Sequence, residues 1–356
     1  MFPGARAVTA SPRGRRRNPL QDWRLDLAQV RYVGRDLQRP ECILAEADGG
    51  LWTADSRGGV VHIAPDGTQR LIRQDFPAAV RPEPVDGVPS LVHGALPNGL
   101  AFARNGDLLI ANFGSEALEI MDRDGRSRVL CDSIDGSPLG KVNFVLRDRQ
   151  DRLWMTVSTR IDPWPAAICN RYADGYIALV DTNGARVVAD GLCFANEIRF
   201  DANEQWLYVA ETCARRVSRF RVGADGALSG REVYGPSSLG GGLIDGIAFD
   251  AFGNLWATMI LADRLAAITP EGEVLTLFED GDPQATARFD AELDSGAVVS
   301  GETMAVTGGK LAPWMTSVTF GSPDLRTVYL GSLKGTALPS FRSPVAGLPM
   351  VHWSRP

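Results

Sequence analysis

Histidine is scarce in this chain of 356 residues, which contains only His62, His93 and His352. A serine nucleophile of the α/β-hydrolase kind would also need a Gly-x-Ser-x-Gly elbow, and the sequence has none. These two shortages argue against Ser-His-Asp hydrolysis. A cysteine nucleophile would likewise need a histidine partner, and no histidine lies near a cysteine in the sequence.

Cysteine pairs with metal-ligand or redox spacing are missing as well. The five cysteines are widely separated, and no Cys-x-x-Cys motif occurs among them: Cys42, Cys131, Cys169, Cys193 and Cys213. An odd, unpatterned set argues against a disulfide framework and against a cysteine zinc site. We therefore expect reduced, mostly buried cysteines in a cytoplasmic protein.

Long apolar runs are missing too, since none approaches the roughly 18 residues of a membrane span. The N-terminal segment is arginine-rich, but no apolar stretch follows it. We expect residues 1–20 to form a mobile basic tail rather than a secretory signal, and residues 21–356 to form a single domain. The net charge of -6 argues against a nucleic-acid partner.

Glycine, in contrast, is in excess, with 38 residues and many Asp-Gly and Asn-Gly pairs. Such pairs are typical of tight turns between short strands. Six short segments, most of which follow a turn, resemble one another and predict equivalent buried strands: Leu51–Asp55, Leu108–Asn112, Leu153–Val157, Leu207–Glu211, Leu255–Met259 and Val328–Ser332. A further strand precedes several of them, and two more follow. The repeat predicts an all-β protein, a six-bladed β-propeller of four-stranded antiparallel blades with a metal site in its central channel.

Chain segments at both ends are expected to complete the last blade. Residues 23–33 would supply one of its strands and residues 344–352 another, which closes the ring. Two stretches are longer than turns require, residues 158–176 and residues 280–312. Long connections in a compact repeat are candidate lids or substrate walls.

A polar residue recurs about ten residues before each repeated strand. These positions, which we call the polar register, are Glu41, Asn98, Asn143, Asn196, Asp245 and Thr316. Because the innermost strands of a propeller surround one axis, equivalent positions on them should converge at one mouth of the channel. Taken singly, Asn98 and Asp245 are more typical of turns than of metal ligands, because each precedes a glycine.

Oxygen ligands in this number suit a hard divalent cation. We predict that Glu41, Asn143, Asn196 and Asp245 bind one divalent metal ion, with Ca²⁺ as the first choice and Zn²⁺, Mn²⁺ or Mg²⁺ as alternatives. Asp245 is also the candidate general base, or in an alternative role the nucleophile.

The blade motifs resemble the senescence-marker-protein (regucalcin)/gluconolactonase-like family. The resemblance covers roughly residues 36–352 and is carried by Pro40-Glu41 before Leu51-Trp52, Asn143 before residues 151–154, residues 194–198, residues 244–248 and residues 320–329. It implies a metal-dependent hydrolase that opens a lactone or related small ester, with Glu41, Asn196 and Asp245 at metal-ligand motifs and Asn143 on metal or substrate.

Further substrate contacts follow from the same resemblance and from the long loop. Lys141 stands where sugar-lactonase members can carry an arginine that holds substrate, and Thr316 stands where organophosphate-hydrolysing relatives carry a histidine, which argues against that activity. We expect Asn98 and Lys141 to orient the substrate, although turn geometry and surface charge explain them equally well. Arg160, Trp164 and Tyr172 would cover a small polar or aromatic substrate, or only connect two strands.

Two other classes of function remain open from the sequence. One is a propeller that binds a ligand or a protein around a structural metal, and the other is a lyase or isomerase that uses the same metal to stabilise an enolate. The oligomeric state is open as well.

Overall fold

Six four-stranded antiparallel sheets make up the computed structural model, which describes residues 17–76 and 95–354. In chain order, the first four blades contain β2 (Ile43–Ala45), β3 (Leu51–Asp55), β4 (Gly59–Ile63) and β5 (Gln69–Arg73); β6 (Pro97–Phe102), β7 (Leu108–Asn112), β8 (Ala117–Met121) and β9 (Ser127–Cys131); β12 (Val142–Arg147), β13 (Leu153–Val157), β14 (Gly175–Asp181) and β15 (Gly184–Leu192); and β16 (Ala195–Phe200), β17 (Trp206–Glu211), β18 (Arg216–Val222) and β19 (Leu228–Tyr234). The fifth contains β20 (Leu243–Phe249), β21 (Leu255–Ile260), β22 (Arg264–Ile268) and β23 (Val274–Glu279), and the sixth contains β24 (Met315–Gly321), β25 (Thr327–Ser332), β26 (Leu338–Arg342) and β1 (Arg31–Val33). A small hairpin joins β10 (Ser133–Ile134) and β11 (Ser137–Pro138).

The first strands of neighbouring blades touch one another around a closed ring, in the order β2, β6, β12, β16, β20, β24 and back to β2. The chain is therefore a six-bladed propeller, as the repeat predicts. Each repeated segment forms the second strand of its blade and agrees with the predicted bounds to within a residue. Apolar side chains fill the layers between adjacent blades, and all five cysteines are buried and free.

A tryptophan and an acidic turn residue fix the second strand in alternate blades. Trp52, Trp154 and Trp256 are fully buried, each at the second position of its strand, in β3, β13 and β21. Their indole N–H groups donate to Glu46 at 2.6 Å, Asp148 at 2.9 Å and Asp250 at 3.0 Å. The acid thus satisfies the one polar atom of a large apolar side chain and ties the turn to the blade.

The ring closes as predicted at the N-terminal end and differently at the C-terminal end. β1 pairs with β26 as the outermost strand of the last blade. Residues 344–352 add no strand to that blade, so this prediction is wrong. The blade is already complete because β26 takes the third position. The C-terminal segment instead crosses between blades, since Leu348 N–H donates to Phe249 at 2.8 Å and His352 Nε2 lies 2.8 Å from the Ala45 oxygen.

Both long connections lie at the end of the channel where the inner strands begin. Residues 280–312 contain two helices, α1 (Pro283–Asp294) and α2 (Gly301–Ala305), where the sequence predicts only a loop. Asp282 caps α1 by accepting from two main-chain N–H groups at 2.8 Å. Phe289 and Leu293 of α1 are buried against Ile168 and Phe194, which couples the helix to the neighbouring long loop.

Most of the predicted basic tail, residues 1–16, lies outside the described residues. Leu20 is fully buried in an apolar layer of the last blades, and Asn18 donates to Asn254 at 2.6 Å. Within the described part of the chain, no helix has the length and apolarity needed to cross a membrane.

Candidate active site in the central channel

The polar register lies on bulges of the inner strands. The pairing between first and second strand shifts between Pro97 and Leu100, Val142 and Phe144, Ala195 and Ile198, Ile244 and Ile247, and Met315 and Val318. Each shift falls on the polar residue of that blade, and Glu41 lies two residues before β2. Because a bulge re-aims a side chain and interrupts pairing, it frees these positions for a site.

The glycines after Asn98 and Asp245 serve close packing rather than turns. A Cβ at Gly99 would lie 2.5 Å from the Phe144 Cα atom, and one at Gly246 would lie 2.4 Å from the Thr316 oxygen. Both glycines are inside strands, so the turn interpretation of Asn98 and Asp245 is wrong. Adjacent inner strands approach so closely at this level that no side chain fits between them.

Five members of the polar register share one cavity of about 120 Å³ at this mouth of the channel. Its lining includes Glu41, Asn98, Asn143, Asn196 and Asp245, each of them buried. One water needs about 10–15 Å³ on the same measure, so the cavity has room for an ion and a small organic molecule.

Four oxygen atoms in this cavity have no hydrogen-bond partner among the described residues. They are Glu41 Oε2, Asn143 Oδ1, Asn196 Oδ1 and Asp245 Oδ1. Buried polar atoms are rarely left without a partner, because the loss of hydration then goes uncompensated. Two carboxylate and two amide oxygens are also the donors that a hard divalent cation takes. The residues present therefore fit the predicted metal.

The remaining polar atoms of the site hold one another in place. Asn98 Nδ2 donates to Glu41 Oε1 and to the Asn143 main-chain oxygen, both at 3.1 Å. Arg39 Nη2 donates to Asn98 Oδ1 at 2.6 Å, and Asn196 Nδ2 donates to Thr212 Oγ1 at 3.1 Å. Because these bonds use the other polar atom of each side chain, Glu41 Oε2 and Asn196 Oδ1 remain available to a ligand.

Glu41 and Asp245 are two buried carboxyl groups in one cavity, and this surrounding makes their ionisation unfavourable. Burial raises the pKa of Glu41 above the usual carboxyl range. Burial also raises the pKa of Asp245, and the negative charges of Glu41 and Glu197 raise it further, while Arg39 lowers it. A cation bound between Glu41 and Asp245 would supply the missing positive charge.

The other predicted substrate contacts are placed differently. Trp164 lines the cavity, whereas Lys141, Arg160, Tyr172 and Thr316 are not part of its lining. Lys141 pairs with Glu116 at 2.6 Å, Arg160 lies 4.2 Å over the Tyr176 ring, and Tyr172 is 41% exposed. Thr316 is buried and donates to the Glu41 main-chain oxygen at 2.9 Å. Their assignment as substrate contacts stays a prediction.

Sequence reasoning missed Arg39 and a second recurring position. Arg39 is fully enclosed next to Pro40-Glu41, and burial lowers its pKa while Glu41 and Asp245 oppose that shift. The first residue after the second strand also lines the cavity in four blades: Phe113, Thr212, Leu261 and Leu333. Counting one residue past each predicted segment would have found Phe113, Thr212 and Leu333 but would have given Ile260 in place of Leu261, because the fifth-blade strand is one residue longer than predicted.

Comparison with known proteins identifies a family for this chain. Residues 77–287 match the model of the SMP-30/gluconolactonase/LRE-like region. The matched segment contains Asn98, Asn143, Asn196 and Asp245, while Glu41 lies before it.

Individual relatives are distant. A 6-deoxy-6-sulfogluconolactonase of Pseudomonas putida is 27% identical over 181 residues, which are 49% of this chain and 52% of that protein. The match thus spans about half the length of this relative. A pentonolactonase of Haloferax volcanii is 26% identical over 239 residues, 67% of either chain. The structure of a gluconolactonase from Xanthomonas campestris superposes with a TM-score of 0.61 and 20% identity, covering 88% of this chain and 89% of that one, so the two share a fold.

Proposed function

The chain belongs to the SMP-30/gluconolactonase/LRE-like family, and on this premise we propose that it is a metal-dependent lactonase. One observation carries the proposal: four buried oxygens without partners, contributed by four different blades, line a single cavity. Glu41, Asn143, Asn196 and Asp245 would hold one divalent cation, with Ca²⁺ as the first choice. The lactonase names of the distant relatives support the same class of reaction.

A bound divalent cation would polarise the lactone carbonyl and acidify a nearby water molecule. Asp245 would act as the general base, taking a proton from the water that attacks the carbonyl carbon. The bond between the carbonyl carbon and the ring oxygen then breaks, and the ring oxygen leaves as a hydroxyl once it has received a proton. Ring opening yields a hydroxy acid, so the reaction releases acid that can be followed directly.

Other side chains would prepare the site rather than transfer protons. Asn98 would hold the Glu41 carboxylate at its Oε1 atom so that Oε2 remains available. Arg39 would place a buried positive charge beside the negative charge that develops on the carbonyl oxygen.

The proposal is tested by following acid release from a panel of lactones and esters with a pH indicator. We expect release by the Ca²⁺-loaded protein, loss of release with a chelator and recovery when Ca²⁺ is returned. Asp245→Asn should abolish release, while Asp190→Asn, at an exposed position of β15, should not. Release that survives both the chelator and Asp245→Asn would contradict the metal mechanism, and the absence of release from every compound would contradict lactone hydrolysis.

A further inference from the structure

Most of the described residues that line the cavity have apolar side chains. Ten of the seventeen described residues that line the cavity are apolar, and we call them the apolar wall. Phe113, Leu261 and Leu333 enter it from the position directly after the second strand of their blades. The wall is thus a repeated feature of the propeller, at a position distinct from the polar register.

Three members of the apolar wall require an unusual backbone. Phe194, Leu261 and Trp314 have positive φ angles of 60°, 74° and 58°. Bulky residues rarely adopt this left-handed conformation, and where they do, the strain is often associated with a functional site. Phe194 and Trp314 each directly precede an inner strand, so the strained turn sets the position of the ring at the channel mouth.

The two long connections complete the wall and support it from behind. Trp164 comes from residues 158–176 and Met304 from α2. Phe113 and Trp164 pack edge to face with ring centroids 5.2 Å apart. The fully buried Phe289 of α1 lies in the same apolar cluster. Support of this kind makes the wall a preformed surface rather than a loose cover.

Apart from the four unpaired oxygens assigned to the cation and the Nε atom of Arg39, the polar side chains of the cavity hydrogen-bond to one another. Asn98 is held by Arg39, and its amide nitrogen donates to Glu41. The Thr212 hydroxyl accepts from Asn196. On the apolar wall itself, the indole Nε1 of Trp164 is buried and has no partner among the described residues. Among the residues that the structure describes, the wall therefore offers apolar contact together with one unpaired N–H donor.

We infer that the substrate is a lactone that carries an apolar alkyl or aryl group, rather than a polyhydroxylated sugar lactone. This inference rests on the proposed lactonase function and specifies its substrate class. Apolar substituents gain by leaving water for such a wall. Hydroxyl groups placed against the same wall would lose their hydrogen bonds to water without replacement. The Trp164 N–H would donate to one acceptor of the substrate.

Three δ-lactones with the same six-membered ring test the substrate class: phenyl-substituted δ-valerolactone, unsubstituted δ-valerolactone and glucono-δ-lactone. We expect the Ca²⁺-loaded protein to show a kcat/KM for the phenyl compound about tenfold or more above that for the other two. A higher kcat/KM for glucono-δ-lactone would overturn the substrate class and leave lactone hydrolysis intact.

If none of the three is hydrolysed, the wider panel of lactones and esters decides the proposed function, and binding decides the substrate class separately. The probes are the corresponding lactams, which resist opening, and their dissociation constants are measured by calorimetry on the Ca²⁺-loaded protein. Tighter binding of the phenyl-substituted lactam would support an apolar ligand. Equal or tighter binding of the polyhydroxylated lactam would overturn it.

A pair of variants tests whether the apolar wall causes the preference for the phenyl-substituted lactone. Leu261→Asn adds a polar group, and asparagine accepts the positive φ at this position better than other residues. The matched control is Leu325→Asn, at another leucine with a positive φ of 54° that lies outside the cavity. We expect the ratio of kcat/KM for phenyl-substituted over unsubstituted lactone to fall about tenfold in Leu261→Asn only. A ratio that is unchanged in Leu261→Asn would overturn the inference.

Discussion

Asn98 donates hydrogen bonds from one amide nitrogen to Glu41 Oε1 and to the main-chain oxygen of Asn143, both at 3.1 Å. One side chain of the second blade thereby joins candidate ligands from the first and third blades. Its own Oδ1 atom is taken by Arg39 at 2.6 Å. The arrangement indicates that Asn98 orients the Glu41 carboxylate.

The first prediction concerns this orienting role. Asn98→Ala should lower the affinity for Ca²⁺ about 10- to 100-fold, as is typical when the hydrogen-bond partner of a metal ligand is removed. Calorimetric titration of Ca²⁺ into the metal-free protein measures the effect. The matched control is Asn105→Ala, because Asn105 lies in an exposed turn of the same blade. Equal affinities in both variants would show that Asn98 has no part in holding Glu41.

The second prediction concerns Arg39, whose Nε atom is buried without a partner among the described residues. If its charge stabilises the developing oxyanion, Arg39→Gln should lower kcat about 10²–10³-fold at saturating Ca²⁺. Arg39→Lys should lose less, because it keeps the positive charge but not the two-pronged contact to Asn98 and Pro97.

Saturating Ca²⁺ separates this effect from metal affinity, which Arg39 influences through Asn98. A kcat that returns to the wild-type value in Arg39→Gln at saturating Ca²⁺ would assign Arg39 to metal binding alone.

Most of the architecture could be predicted because local patterns determine it. Leu-Trp and Leu-Tyr pairs identify four of the six second strands, and an offset of about ten residues from the repeated strands identifies the polar register. Glu41 and Asp245 could therefore be brought together across a wide sequence separation without any structure. The predicted role of residues 344–352 was wrong because Leu338–Arg342, although less regular in pattern, takes the place in the blade.

The apolar wall could not be predicted for a physical reason. Leu261 and Trp314 resemble core residues in the sequence, and only a positive φ directs them to the cavity. Nothing in a leucine or a tryptophan signals such a conformation, since asparagine and glycine are the residues that usually adopt it. The ion pair between Lys141 and Glu116 could not be predicted either, because it depends on a contact between two loops that are far apart in the sequence.

The third prediction concerns Glu211, a buried carboxylate at the end of β17. Arg231 Nη2 lies 2.9 Å from both of its oxygens, Arg216 Nε lies 3.1 Å from Oε1, and the Cys193 N–H and the Ser218 hydroxyl also donate to it. Burial alone would raise the pKa of Glu211, but the hydrogen bonds from Arg216, Ser218 and Cys193 and the charge of Arg231 bring it below the usual value.

A lowered folded-state pKa means that Glu211 stabilises the protein above the pKa of an unfolded carboxyl, about 4.3, and that this stabilisation is lost as the pH falls towards the folded-state pKa. Glu211→Gln should therefore lower the free energy of unfolding by about 1.5–3 kcal/mol near neutral pH. The deficit should shrink in urea titrations at about pH 4 and below. Glu232→Gln, at a half-exposed ion pair of the same blade, should cost at most about 1 kcal/mol at any pH. A Glu211→Gln deficit that is independent of pH would contradict this account.

The carboxyl group of Asp245 should lower the stability of the metal-free protein and raise that of the Ca²⁺-bound protein. Glu197 is paired with Arg199 at 2.8 Å, whereas Glu41 and Asp245 are two buried carboxyl groups that share the cavity with the positive charge of Arg39 and cannot both ionise there without a cost in free energy. Asp245→Asn removes one of these two buried acidic groups, so the metal-free variant should be more stable than the metal-free wild type by about 1–3 kcal/mol.

Ca²⁺ should reverse this order. At 100 times its dissociation constant, a ligand that binds only the folded state adds about 2.7 kcal/mol, and the wild type should gain far more than Asp245→Asn. Thermal and urea unfolding, with chelator and with Ca²⁺, measure the stability of each protein in both conditions. Asp190→Asn should be as stable as the wild type in both. If Asp245→Asn were the less stable protein without metal, or gained as much from Ca²⁺ as the wild type, the four unpaired oxygens would not form a cation site.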